Sequence, residues 1–316
     1  MPAQIKEISV LMPVYNSASF IAKSLKSILN QTYKDFEFII VNDRSVDNSE
    51  EIILKFDDPR IKYFKIEHKG TSAALNFGIS KAKYSWIARI DSDDLNTPNR
   101  LEKQINFLNN NPGIDILSSW SVYFNNKNKI IFFLEQETEH KNIVEALRIH
   151  NPMNQSGLII KKSLLKKEKY NAKILYNEDF ELLYRLKDKA IFHIIPEYLV
   201  YTRFSPSSKS FSGRKNNIYD FLFPTAFKNL LESKGKGDHF VWSTVIAWIN
   251  FFYGDKRASR NYFKKSLSLK NTIAYLATYL PEKSFDNLLN FRLKYRWRAV
   301  FRNKNYYKAE LKKLLS

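Results

Sequence analysis

The stretch "WIARIDSDDLNTPNR" (residues 86–100) decides how this chain is read. Residues 86–91 suit a buried strand, interrupted by Arg89, and run straight into Asp91, Asp93 and Asp94. Carboxylates this close raise one another's pKa unless a cation sits among them. A solvated loop before a helix explains part of the pattern. Thr97 and Pro98 supply a cap and a first helical position, and Leu101, Ile105 and Leu108 recur at helical spacing. The aspartates are left without a structural task. Two hard carboxylates at i and i+2, on a turn after a strand, can hold a divalent cation that also bridges phosphate oxygens. Asp91 and Asp93 are therefore the candidate metal ligands.

Upstream, short β-branched or aromatic runs alternate with helical patterns. "EISVLMPVY", "FEFIIVND", "RIKYFKIE" and "YSWIARID" predict strands; Ser17 to Leu29, Ser49 to Phe56 and Thr71 to Lys81 predict helices, with Ile21, Leu25 and Ile28 on one face of the first. This alternation predicts an α/β domain whose mostly parallel sheet is flanked by helices, with ligands beyond the carboxyl ends of the strands. Pro13 to Asn16, Asp43 and Asp91 to Asp94 all fall at such ends. Downstream come a helix over 98–109, the strands "IDILSSWSVYF" and "KIIFFLE", a helix over "HKNIVEALRIH", a strand running into a helix over "GLIIKKSLL", and an amphipathic helix over "EDFELLYRLKD". From about Asn216 the pattern is helical and basic, which predicts domains at 1–213 and 214–316.

The 316 residues include no cysteine, which excludes disulfides, thiolate metal sites and a cysteine nucleophile. The N-terminus reads as a strand without a cleavable signal, and the longest apolar run, "VWSTVIAWINFFYG", is too short and interrupted to span a bilayer. The expected location is cytoplasmic, or peripheral on the cytoplasmic face of an inner membrane. Net charge is +19, concentrated after residue 213, where 21 basic side chains face 7 acidic ones. Such a segment gathers near polyanions, whether nucleic acid or an anionic leaflet. Residues 291–316 hold nine basic side chains and one acid, interleaved with aromatic rings. On a helix, Leu293, Trp297, Val300 and Phe301 share a side, which suits a helix lying on an anionic membrane; a solvated packing helix is the competing reading.

Taken in order, "SVLMPVYN", "SLKSILNQTYKDFEFIIVNDRSVDNS", the block from Gly70 through "DSDD" to Leu108, "NPMNQSGLIIKKS", "NEDFELLYRL" and "YLVYTRFSPSS" resemble the family-two inverting glycosyltransferases of the GT-A fold, of the type used in bacterial capsule, lipopolysaccharide and glycan assembly. The likeness covers about residues 7–210. It implies a metal-dependent hexosyltransferase that uses Mn2+ or Mg2+ and a nucleoside diphosphate sugar donor, most simply a UDP-sugar, with a glycan or lipid-linked acceptor. By the same resemblance Pro13, Tyr15, Asn16, Asp43, Asn76, Asp91 and Ser92 contact the nucleotide. Asp43 would accept the N–H of the base ring and Tyr15 would stack on it, Asp91 and Asp93 would hold the metal, and Asp94 would orient the loop. Glu178 and Asp179 match the family's catalytic acidic pair, with Asp179 as general base. Read without the family, Asp43 is a turn former, Tyr15 a strand-end core aromatic, and Glu178–Asp179 a favourable charge at a helix start.

Some positions depart from the family pattern. Many relatives read Asp-Asp-Gly-Ser where this chain has Asn42, Asp43, Arg44 and Ser45, and they often carry histidine where it has Gln155 and arginine where it has Lys161. Arg203 matches a frequent arginine that could meet phosphate or form a structural ion pair. His193, within an apolar strand, reads as a satisfied core histidine. Two other function classes compete. A nucleic-acid-binding protein would explain the charge but leaves the acidic blocks idle, and no nucleic-acid module is recognisable, so no nucleic-acid partner is expected. A non-catalytic sugar-nucleotide scaffold would keep the fold without turnover.

Overall fold

The computed structural model describes residues 4–147, 151–174, 177–204 and 304–315, with isolated residues between 260 and 279. The chain divides into two compact units, Met1–Phe204 with Ala299–Ser316, and Ser205–Arg298. In the first unit the chain runs β1 (Ile8–Val14), α1 (Ile21–Leu29), β2 (Phe36–Asn42), α2 (Ser49–Leu54), β3 (Ile61–Lys65), α3 (Thr71–Lys81) and β4 (Trp86–Arg89). It continues through β5 (Leu95–Asn96), α4 (Arg100–Asn110), β6 (Ile116–Asn125), β7 (Ile130–Leu134) and α5 (His140–Leu147). After these come β8 (Ile159–Lys161), α6 (Lys162–Lys167), α7 (Glu178–Leu186), β9 (Phe192–Phe204) and α8 (Lys304–Leu315).

One mixed sheet carries the described strands, in the order β3-β2-β1-β4-β8-β6-β9-β5, with β7 beside β6. The β3-β2-β1-β4 half is parallel throughout. Beyond it β8 lies antiparallel to both β4 and β6, β9 parallel to β6, and β5 antiparallel to β9. Successive strand residues face opposite sides, so a strand covered on both faces is apolar at most positions. Val10, Met12, Phe38, Ile40 and Ala88 enter one core with Ile21, Leu25 and Ile28 of α1 and Leu101, Ile105 and Leu108 of α4. Leu11, Ile39, Val41 and Ile87 enter the other, with Leu75 and Ile79 of α3 and Phe180, Leu183 and Leu186 of α7. At Gly78, α3 lies so close on β1 that a Cβ would stand 2.2 Å from Leu11 Cδ1.

Three expectations change. The first helix starts at Ile21 rather than Ser17, because the Ser17 hydroxyl and amide are engaged by Ser92 and Ser49. The helix after the aspartates starts at Arg100 rather than Pro98, without a side-chain cap bond. Residues 299–316, assigned to an appended region, return to the first unit, where Leu311 of α8 is buried in a cluster with Leu95, Val122, Phe124, Phe133 and Tyr201. The Tyr201 hydroxyl donates to Glu310 at 2.5 Å. The expected boundary near Gly213, and Leu293, Trp297, Val300 and Phe301, lie outside the described residues. Among the described residues no helix is long and apolar enough to cross a membrane.

Candidate active site at the strand ends

Because β2, β1 and β4 are adjacent and parallel, the residues just past their carboxyl ends share one rim. Backbone strain collects there. Asn16 (φ 49°), Arg44 (φ 58°) and Asn177 (φ 56°) are non-glycine residues in the left-handed region, next to Tyr15, Asp43 and Glu178 respectively. Such conformations are uncommon for side-chain-bearing residues and persist where surrounding contacts hold them. Arg44 stands where the family resemblance leads one to expect glycine, and a φ of 58° is the conformation glycine adopts without strain; its guanidinium is paired with Glu67.

At the first two strand ends, Pro13 is buried and Tyr15 is 39 % exposed. Asp43 is buried, and its carboxylate accepts the main-chain N–H groups of Lys69 at 2.8 Å and Gly70 at 2.9 Å. This clamp fixes the turn into α3, where Gly70 takes φ 86°. Asn16, expected at the nucleotide, uses its side-chain oxygen on the Val46 amide at 2.9 Å and so fixes the neighbouring loop. Asn76, also expected there, spends both ends of its amide on the main chain of Tyr170, at 2.8 and 3.0 Å. Ser92 is likewise turned inward, sharing a 2.6 Å hydrogen bond with Ser17. In the structure all three therefore support the rim by contacts of their own.

The aspartate loop is anchored from several sides. Asp94 is buried; its carboxylate accepts the Arg203 amide at 2.7 Å and the Ser156 hydroxyl at 2.5 Å, and that hydroxyl in turn accepts the Asp91 amide at 3.0 Å. Arg203 is committed to the loop and to two aromatic faces: its Nε donates to the Asp93 carbonyl, and its guanidinium lies over Phe20 and Phe124. Beneath, buried Arg100 donates to Asn96 Oδ1, Gln104 and the Leu158 carbonyl, and burial lowers its pKa to about 9. His193 stacks on Phe107 at 4.8 Å, with its pKa lowered by burial, away from these carboxylates.

Arg89 joins the two acidic groups. Its side chain is 6 % exposed. Nε and Nη2 donate to Asp91 Oδ1 at 3.3 and 3.0 Å, and Nη1 donates to Gln155 Oε1 at 2.9 Å. Nη2 also stands 3.8 Å from Glu178 Oε1. Gln155, where the family resemblance leads one to expect histidine, thus serves as an acceptor for this guanidinium. Burial acts to lower the Arg89 pKa, but Asp91, Tyr170, Glu178 and Asp179 outweigh it and raise the value. One cation does not neutralise the acids around it. Burial and then Asp91 push Asp93 up to about 6; burial and then Asp179 push Glu178 up to about 7, against the pull of Arg89. Asp179 is also raised, by burial first, and its Oδ2 accepts the Asn151 amide at 2.9 Å.

Among the described residues no three histidine or carboxylate side chains converge as a ready cation cage. The loop does offer two carboxylates close together, and burial and then Asp91 hold the Asp93 pKa up to about 6. That donor set fits a hard divalent ion whose remaining ligands come from phosphate and water. Sequence reasoning noted Arg89 only as an interruption. A charge inside an otherwise apolar central strand was the available signal, since buried arginine is almost always paired.

The pattern of glycosyl transferase family 2 matches residues 9–168. An uncharacterized glycosyltransferase of Methanocaldococcus jannaschii is 33% identical over 256 residues, covering 78% of this chain and 85% of the relative. Two solved structures share the fold. S. aureus TarS (residues 1–349), in complex with UDP, has a TM-score of 0.56 at 18% identity, covering 94% of this chain and 93% of that one. A mannosyltransferase from Pyrobaculum calidifontis, in complex with GDP-Man and Mn2+, has a TM-score of 0.56 at 16% identity, covering 93% and 86%.

Proposed function

From the premise that this chain belongs to glycosyl transferase family 2, we propose that it is an inverting, metal-assisted transferase that moves a sugar from a nucleoside diphosphate, best read as a UDP-sugar, to a hydroxyl of a glycan or lipid-linked acceptor. One observation carries this reading: Arg89 draws the donor-side Asp91 and the acceptor-side Glu178 and Asp179 into a single electrostatic site. A protein that only held sugar nucleotides would have no use for an acidic pair poised beside the phosphate-binding loop.

In the proposed reaction Asp179 takes the proton of the acceptor hydroxyl while that oxygen attacks the anomeric carbon. The bond from that carbon to the diphosphate oxygen breaks on the opposite side, and the nucleoside diphosphate leaves with the bonding pair. One displacement inverts the anomeric configuration. Asp179 suits a base because burial raises its pKa and so its basicity, and because Asn151 fixes one of its oxygens. Glu178, drawn toward Arg89, positions the pair. Asp91 and Asp93 would hold the divalent cation, which when bound neutralises charge growing on the leaving diphosphate; the Mn2+ bound by the structurally similar mannosyltransferase supports this. The proposed place of action is the cytoplasm or the cytoplasmic face of a membrane. Any surface attachment falls to the basic stretch 291–316, although α8 within it turns Leu311 into the core.

The test is Asp179→Asn, which keeps the side chain's size and removes its basicity. Turnover is expected to fall by roughly a hundredfold or more with UDP affinity nearly unchanged, and the wild-type product is expected to carry the opposite anomeric configuration by NMR. Near-normal turnover in the variant, or retained configuration, would overturn the assignment.

A further inference from the structure

The imidazole of His68 makes the two contacts assigned to the nucleobase. It stacks on Tyr15 with ring centroids 4.3 Å apart and planes 21° from parallel. Its Nδ1 stands 2.9 Å from Asp43 Oδ2 and 3.1 Å from the Asp43 carbonyl oxygen. Both neighbours are acceptors, so this nitrogen carries the hydrogen. A flat heterocycle thus lies on the tyrosine face and donates a ring N–H to the aspartate. A uracil ring would do the same through its N3–H. At 4.3 Å the two rings are in contact, and no base can enter between them.

We infer that His68 is an internal stand-in for the nucleobase: in the nucleotide-free protein it occupies the base seat and must leave when the nucleotide binds. The inference rests on the reading of Tyr15 and Asp43 as the base site. Three features of the chain fit the displacement. The His68 side chain is 49 % exposed, so solvent can receive the ring as it leaves. Asp43 keeps the Lys69 and Gly70 amides as donors when the imidazole goes, so its buried carboxylate is not stranded. Gly70, with nothing within 4 Å of a notional Cβ, leaves room beside the turn that carries His68. The seat also selects. A ring that replaces the imidazole must present an N–H to Asp43, which uracil and guanine can do and cytosine, with a ring lone pair at that edge, cannot.

Displacement makes the apparent affinity weaker than the intrinsic one by the fraction of protein with an open seat. If the ring sits in for about nine-tenths of the time, removing it tightens binding roughly tenfold. The experiment is isothermal titration of the full chain with UDP and with CDP, in Mg2+, for the wild type, His68→Ala and His68→Gln. Both variants are expected to bind UDP several-fold to about tenfold more tightly, with UDP still preferred over CDP. In 1H–13C spectra of the five histidine side chains, the signal that His68→Ala removes should shift toward that of an exposed imidazole when UDP is added to the wild type. Unchanged or weaker UDP binding in both variants overturns the inference, since it makes His68 irrelevant or a second wall of the site. A wild type that binds no nucleotide refutes the base site itself, and the stand-in with it.

Discussion

Replacing Arg89 with methionine removes the cation while leaving apolar bulk in its place. The guanidinium donates twice to Asp91, once to Gln155, and faces Glu178 at 3.8 Å. Truncating one partner of a buried ion pair costs about 3–5 kcal/mol, because the other charge is left without compensation. Here Asp91 is 36 % exposed and water screens it, while Glu178 at 12 % is not, so the lower part of that range, about 3 kcal/mol, is the expected loss. For a unit of this size that lowers Tm by roughly 6–12 °C. The informative measurement is the change in Tm when Mg2+ or Mn2+ is added. Without Arg89 the acids attract a cation more strongly, so the metal-dependent rise should be larger in Arg89→Met than in the wild type. Arg89→Lys, which restores charge without the fork, should fall between them. A Tm drop below about 2 °C, or the same metal-dependent rise in wild type and Arg89→Met, would refute the account of Arg89 as the charge that joins the two acidic groups.

Metal-free protein should lose stability as pH rises from about 4 to 7. Asp93 and Glu178 have folded values of about 6 and about 7, above the ordinary carboxylate range, so the folded chain binds more protons than the unfolded one in that window; their contribution is full below about pH 4 and is lost as pH passes through those values. His193 acts in the opposite sense below its ordinary value of 6.5, so the comparison is the urea midpoint of the wild type against Asp93→Asn: the variant should show a shallower fall, and an equal or steeper one contradicts the assignment. At the other end of the chain, Leu311→Ala should cost about 2–4 kcal/mol, as expected for a core leucine, because Leu311 is 2 % exposed against Leu95 and Tyr201. Urea unfolding would read it, and a cost near zero would mean that α8 is a detachable tail.

The parallel half of the sheet was legible because it is covered on both faces, so β1, β2 and β4 appear as largely apolar runs, broken by Ser9, Glu37 and Arg89, and the helices between them as stripes. Thr71–Lys81 is observed over the residues its spacing predicts. The ends of α1 and α4 were harder. Both abut the aspartate loop, where the side chains that look like caps bond elsewhere: the Ser17 hydroxyl with Ser92, 75 positions away, and the Thr97 hydroxyl with Asn99 two residues on. The acids of the site could be found by pattern. Their partners could not: Arg89 and Glu178 are 89 positions apart in sequence, His68 and Tyr15 53 apart, and nothing local says that they meet. The same holds for α8, whose basic composition suggests a surface while Tyr307, Leu311 and Leu314 pack on strands laid down over 100 residues earlier.

The return of α8 bears on how the aspartate loop is held in place. The first unit ends its main run at Phe204, one residue after Arg203, whose amide holds Asp94. The chain comes back to bury Leu311 against Leu95, the residue that follows Asp94. The aspartate loop is therefore braced on one side by the last residues before the second unit and on the other by a helix after it. Carboxylates held above their ordinary pKa values and left-handed residues beside Tyr15, Asp43 and Glu178 all oppose folding locally. They can persist because the loop is tied to β9 and α8 as well as to its own strand. By this reasoning substitutions at Arg203 and Leu311 reach the aspartate loop from a distance in sequence, and should loosen it although neither residue lies within it.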